Sequence, residues 1–296
     1  MYYQENMSHA DFSNLYLKYS LHQEHDVSGR GHTSLHCSYQ EGEWHYDQFM
    51  EWIKRHIIEY ALSPREVRGI HSTQYFDAVE RASRMVYGAK AKTKRRGEIG
   101  ELILHGLIYD IYGTRPVVSK VFMKTARNDT VKGFDCVHAL SSNDTLESLW
   151  LGEAKFYKNI NNAISEAIES IKTLAANEQL LNEFMVVNNM IGDDEDPIAQ
   201  QVKKLLSRSS SFDDIKPKIC VPVLLTYESP VVANHKAISN EFITQLDTEV
   251  QSHIDKFTKA SKGIDLSIHV FVFSLDQKKK LIEKFDTQLK GHQAEE

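Results

Sequence analysis

Gly133 to Tyr157, GFDCVHALSSNDTLESLWLGEAKFY, is the stretch on which the fold turns. Two extended runs, KGFDCVHAL and SLWLGEAKFY, flank Ser141-Ser-Asn-Asp144, a cluster of turn formers that reads as a hairpin loop. Side chains alternate along a strand, so Leu149, Leu151, Glu153 and Lys155 share one face while Trp150, Gly152 and Ala154 share the other. With the loop centred on Asp144, Asp135 falls opposite Glu153, Cβ atoms about 5 Å apart. A slip of one residue would separate them. Two carboxylates at that distance repel unless a cation joins them. A hard divalent ion with oxygen ligands, Mg²⁺ or Mn²⁺, is the natural guest. Bound there, it polarises a phosphodiester oxygen and acidifies a coordinated water. Lys155 then sets a positive charge beside the attacking water or the developing phosphorane. The plainer alternative is an acid–lysine pair on an exposed face, worth under about 1 kcal/mol. Against it stand the apolar neighbours Leu149-Trp150-Leu151 and Phe156-Tyr157, and the place of Asp135 between Phe134 and Cys136.

Outward from the hairpin, Glu98 to Tyr112 is helical and apolar on most sides through Ile99, Leu102, Ile103, Leu107, Ile108 and Ile111, and Gly113-Thr-Arg-Pro116 stops it. VVSKVFMK supplies a first strand, and a helix from about Asn161 to Leu180 follows the hairpin. The order is helix, strand, strand, strand, helix. KICVPVLLTY reads as a further strand, where Pro222 argues for an edge or a bulge. A helix near Asn240 to Ala260 and the run LSIHVFVFSL complete a mixed sheet, so the fold class is α/β, with mixed α+β strand pairing.

Upstream, the first thirty residues are polar and without pattern, and HTSLHCSY alternates like a strand. YDQFMEWIKRHIIEYAL puts Phe49, Trp52, Ile53, His56, Ile57 and Tyr60 at helical spacing. Ser63-Pro64-Arg65-Glu66 carries a capping box, and Gln74 to Tyr87 forms a further helix. Residues 1–90 therefore read as a small N-terminal α+β appendage. Trp44, Phe49 and Trp52 either dock a partner or fill the appendage's own core. Residues 91–296 carry the sheet.

At 41% hydrophobic and 26% charged residues, the 296-residue chain can bury a core without disulfide or metal staples. It lacks the run of roughly 18 apolar residues that a membrane helix needs. MYYQENMSHADFSN has neither the basic nor the apolar region of a signal peptide, so a membrane or secreted protein is not expected. Cys37, Cys136 and Cys220 are scattered and fit a reducing cytoplasm. Of 14 histidines, those in the first sixty residues show neither HExxH nor HxH spacing, and no histidine metal site is expected from them. The formal charge of −6 excludes coating of nucleic acid by bulk electrostatics. A local patch is available in Lys92, Lys94, Arg95 and Arg96, extended by Lys158. Cations at a helix N-terminus oppose its dipole, which leaves phosphate contact or a solvated linker as the reason for that run. Lys278 to Lys280 reads as a solvated face, and Asp193 to Asp196 as an exposed loop.

An Asp, seventeen residues, then E-x-K across a hairpin, preceded by a Glu-bearing helix, resembles the PD-(D/E)xK nuclease core over roughly residues 95–228. Gly133-Phe134 stands where that motif has its proline. The resemblance implies that a helix glutamate joins Asp135 and Glu153 in the metal shell, and here Glu98 and Glu101 both qualify. More narrowly, RRGEIGELILHGLI, KVFMKTARNDTVKGFDCVH, LWLGEAKFYKN and, upstream, YDQFMEWIKRHIIEYALSPRE resemble the HamA family, nuclease subunits of the Hachiman antiphage defence system. That resemblance implies DNA as substrate, hydrolysis of its phosphodiester bonds, and a heterodimer with a superfamily 2 helicase, HamB. The competing reading is a catalytically silent nuclease-like subunit that binds DNA and regulates the helicase. The presence of both acids and the lysine favours a cutting enzyme. A free-standing restriction enzyme would need a recognition domain, for which residues 1–90 are small.

A −6 chain with one short basic run makes few phosphate contacts. The chain alone should therefore bind duplex DNA weakly, with a shallow dependence on salt. Fluorescence anisotropy over a salt series checks this, and tight binding at physiological salt without a partner would overturn it.

Overall fold

The computed structural model describes residues 31–88, 97–119, 134–191, 195–207 and 210–291. The N-terminal elements are strands β1 (Gly31–His36), β2 (Tyr39–Gln40) and β3 (Glu43–Trp44), then helices α1 (Tyr46–Ala61), α2 (Pro64–Arg68) and α3 (Tyr75–Gly88). Helix α4 (Gly97–Tyr112) leads to β4 (Arg115–Val118), β5 (Cys136–Ser142) and β6 (Thr145–Lys155). Helices α5 (Ile160–Ala175), α6 (Asn177–Ile191), α7 (Pro197–Leu205) and α8 (Phe212–Ile215) precede β7 (Ile219–Glu228). Then come α9 (Pro230–Asn234), α10 (Asn240–Ala260), β8 (Ser267–Leu275) and α11 (Lys278–Gly291).

The β5–β6 hairpin turns on Asn143 and Asp144, with φ of 49° and 57°. Asn and Asp tolerate that left-handed backbone, and a two-residue hairpin turn of this hand requires it at both positions. Ser142 pairs with Thr145 and Ser141 with Leu146, but Leu140 pairs with Ser148. Glu147 is the extra residue of a β-bulge. The turn is thus one residue tighter than a loop centred on Asp144, and the bulge adds that residue back. Beyond it Val137 pairs with Leu151 and Cys136 with Gly152. One step beyond that last pair, Asp135 donates its backbone N–H to Gly152 O at 2.8 Å, and its charge acts on Glu153.

Among the described residues, one six-stranded sheet runs β1-β8-β7-β6-β5-β4. β4, β5 and β6 form an antiparallel meander, whereas β6, β7, β8 and β1 are parallel. The connection from β6 to β7 passes through α5 to α8, the kind of crossover that parallel neighbours need. The two flanking helices take opposite faces, because residues 152 and 155 differ in parity: Gly152 lies against Leu104 of α4, and Lys155 meets Ser170 of α5. Helix α5 buries Ile160, Ala163, Ile164, Ala167, Ile168, Ile171 and Leu174 along one stripe and is capped by the Asn159 side chain. Helix α4 is buried at every position from Glu98 to Ile108, since α1 covers the side the sheet does not.

Several expectations change. The segment expected as an appendage shares the main sheet: β1 pairs in parallel with β8 from Gly31–His269 to His36–Ser274. Trp44, Phe49 and Trp52 are buried, with Phe49 against Phe273 of β8, so they fill the common core and offer no docking surface. Pro222 lies in an interior strand. The ladder to β6 passes from Trp150–Cys220 to Glu153–Val223, and the missing N–H falls within that interval. The helix after the hairpin ends at Ala176, which is extended, and a second helix begins at Asn177. VVSKVFMK reaches into residues outside the described set, and only its first two residues lie in β4. No helix among the described residues is long and apolar enough to cross a membrane.

A methyl group on Gly152 would collide with Cys136 Sγ and come within 2.9 Å of Leu104. Gly152→Ala should therefore destabilise the fold by about 1–3 kcal/mol through overpacking. Chemical denaturation measures the loss, and an unchanged midpoint would mean that α4 shifts freely on the sheet.

Candidate active site

Glu153 and Lys155 leave β6 on the same face and pair directly, Lys155 Nζ to Glu153 Oε1 at 2.6 Å. Their side chains are only 12% and 14% exposed, which separates this pair from the solvated surface pair considered as an alternative. Lys155 Nζ also donates to Ser170 Oγ at 3.1 Å. The helix that covers this face of the sheet therefore also fixes the lysine.

Asp135 stands at the bend ahead of β5. Its Oδ2 accepts the backbone N–H of Ala154 at 2.7 Å, between Glu153 and Lys155 in the sequence. The carboxylate thus extends the ladder by one bond while carrying its charge to the strand end. Burial raises the Glu153 carboxyl above the ordinary carboxylate range, and the Asp135 charge raises it further, against the opposing pull of Lys155 and Ser170. A carboxyl raised in the folded state keeps a proton that the unfolded chain has released. The stability it contributes is present at low pH and is lost as pH rises from the ordinary range through the raised value.

The first turn of α4 packs on the end of β6. A Cβ on Gly100 would lie 2.7 Å from Phe156 Cβ, so only glycine lets the helix approach this far. Glu98 and Glu101 enter beside that contact, both buried. Tyr60 of α1 donates its hydroxyl to Glu101 Oε2 at 2.8 Å and sets that carboxylate's orientation. The Tyr60 phenol is pushed well above its ordinary value by burial, and then by the charges of Glu101, Asp135 and Glu98. The two helix glutamates and the hairpin aspartate thus all act on one phenol.

Lys92, Lys94, Arg95 and Arg96 lie outside the described residues. Lys158 is exposed and pairs with Glu228 at 3.4 Å. The solvated face expected at Lys278 to Lys280 holds for Lys279, which is exposed and pairs with Glu283 one turn away at 3.7 Å. Lys278 differs: its ammonium lies 4.3 Å from the centre of the Phe156 ring and donates to Phe156 O, next to Lys155. Asp196 caps α7 by accepting from Ile198 and Ala199 N–H, as an ordinary helix start. Tyr60, Ser170 and Lys278 escape a reading of the sequence because each reaches the site from a distant element with no motif of its own.

The sequence model of the HamA family matches residues 12–289, and the chain belongs to that family. It is also similar to Anti-bacteriophage protein A of Escherichia coli (strain K12), with 20% identity over 268 residues. The match takes in 86% of this chain and 47% of that protein, so the chain spans about half the length of the curated relative it matches.

Asp135→Asn keeps an oxygen acceptor for the Ala154 N–H and removes the charge facing Glu153. The variant should match the parent in stability at neutral pH or exceed it by about 1 kcal/mol, and Glu153 should ionise at lower pH. Thermal unfolding over a pH series, with NMR titration of labelled glutamate, reads both. A loss of several kcal/mol would instead make Asp135 a structural residue.

Proposed function

We propose that this protein is a metal-dependent DNA endonuclease acting in antiphage defence. The observation that carries the reading is Asp135 facing Glu153 across a hairpin, with Lys155 held beside them by Ser170. Support comes from the order α4, β4, β5, β6, α5, β7 among the described residues, which is the helix, strand, strand, strand, helix order expected from the sequence. The family name and the printed name of the E. coli relative support a role against phage.

The donor set suits a hard divalent cation: Asp135, Glu153 and Glu101 would hold Mg²⁺ or Mn²⁺, with Glu98 as the other helix acid within reach. When bound, that ion supplies Lewis-acid polarisation of the phosphodiester and a more acidic water. The chain's own groups do the positioning. Tyr60 orients Glu101, and the Ala154 N–H orients Asp135. Lys155 offers a desolvated ammonium to the charge that develops on the phosphorus oxygens, where low polarity strengthens it. The acidic chain draws its DNA affinity from a partner, a superfamily 2 helicase of the HamB kind, in a cytoplasmic heterodimer. The helicase also restrains cutting until phage DNA is engaged.

Plasmid nicking in Mg²⁺, Mn²⁺ or chelator, with and without the helicase, tests the reading. Glu153→Gln and Lys155→Met should each slow cleavage by about two to three orders of magnitude. Both should unfold within a few degrees of the parent. Parental cleavage by both variants removes the site assignment, and a parent that binds DNA and helicase without cutting in either metal makes the chain a regulatory subunit.

A further inference from the structure

Helices α1 and α4 cross closely behind the acid cluster. A Cβ on Gly106 would lie 2.7 Å from the Trp52 ring and 2.9 Å from the His56 ring. The crossing sets His56 and Glu59, one turn apart on α1, against His105 of α4, and one ligand atom from each lies within 4.8 Å of the other two. Both imidazoles are buried, at 5% and 2% exposure. His56 Nδ1 and His105 Nε2 have no hydrogen-bond partner. A buried polar atom without a partner costs about 1–3 kcal/mol, so two in one place call for a ligand.

The opposite nitrogen of each ring is already held. His56 Nε2 lies 3.1 Å from Asp110 Oδ2, which also receives the Trp52 indole N–H at 2.8 Å. A carboxylate only accepts, so the neutral His56 ring carries its proton on Nε2 and its lone pair on Nδ1. His105 Nδ1 lies 2.8 Å from His138 Nε2, and His138 Nδ1 lies 2.9 Å from Thr114 Oγ1. With each ring donating forward along this chain to the threonine oxygen, the lone pair of His105 falls on Nε2. A carboxylate or a second imidazole behind each ligand is the outer-shell arrangement that orients metal-bound histidines. Glu59 receives the Tyr109 hydroxyl at 3.2 Å and, with Tyr109 and Arg115, lines a cavity of about 370 Å³.

We propose that His56, Glu59 and His105 form a second divalent-metal site, of the zinc class, which clamps α1 to α4. Two imidazoles and one carboxylate are a borderline-soft donor set, which favours Zn²⁺ over Mg²⁺ and leaves a fourth position for water. The site is separate from the acids at the end of β6. It lies one turn along α4 from Glu101, so the clamp also steadies the helix that carries that glutamate.

Chelator-treated full chain is titrated with Co²⁺ as a visible probe, in excess Mg²⁺ to occupy the acidic site, and then with Zn²⁺ to displace it. The parent and Glu153→Gln should each take up one Co²⁺ with visible absorption bands, and Zn²⁺ should raise the unfolding temperature of both. Asp110→Asn should weaken binding about 10- to 100-fold, and His56→Gln and Glu59→Gln should weaken it by about 100-fold or more. Glu59 is only half-buried, so Glu59→Gln decides the matter if His56→Gln fails to fold. A parent that takes up no Co²⁺, or a folded Glu59→Gln that binds it with parental affinity, overturns the proposal.

Discussion

Like charges held face to face on neighbouring strands are unstable on their own, and the centre of this protein is arranged around one such pair. Asp135 and Glu153 meet because the hairpin register brings them together. Burial then sharpens the conflict by withdrawing the water that would screen it. Lys155 offsets part of the charge, Ser170 holds Lys155, and the Ala154 N–H takes one oxygen of Asp135. The remaining imbalance is what a bound cation would remove. A surface pair of the same residue types would carry no such imbalance, because solvent would relax it.

The second constraint is the close approach of backbones. Gly100 lets α4 descend on Phe156, Gly106 lets it cross α1, and Gly152 lets the sheet receive Leu104. These three contacts fix α4 against the sheet below and α1 above. As a result Glu98 and Glu101 arrive at the strand end buried and oriented, while Tyr60 of α1 reaches over to Glu101. Glu98, in the first turn, also suits the positive end of the helix dipole.

Much of this was legible in the sequence, and the failures have physical causes. Strand alternation put Glu153 and Lys155 on one face, and the hairpin was visible in Ser141 to Asp144. The register came out right although the turn is tighter than expected, because the bulge at Glu147 compensates. The phase of α4 could not be read because the helix is enclosed on all sides. Trp44, Phe49 and Trp52 could be read as a surface or as a small core, and nothing local pointed to Phe273 as their neighbour. The grouping of His56 with His105 and His138 was equally hidden. Its members come from two helices and a strand, so no short spacing marks them.

The pairing of β1 with β8 governs the timing of folding. Thr33 reaches His269 through a hydrogen bond spanning 236 positions, inside a ladder of parallel neighbours. Contacts that distant must close a long loop before they gain anything, so they form late and slowly. On a ribosome, the earliest described strand would wait unpaired while the acid-bearing hairpin and its helices emerged and collapsed around Gly152. The acids could therefore gather in a partly formed sheet, whereas the Phe49–Phe273 contact that seals α1 onto it forms only once β8 has left the exit tunnel. Chain synthesis itself thus delays completion of the layer that carries Tyr60 and His56.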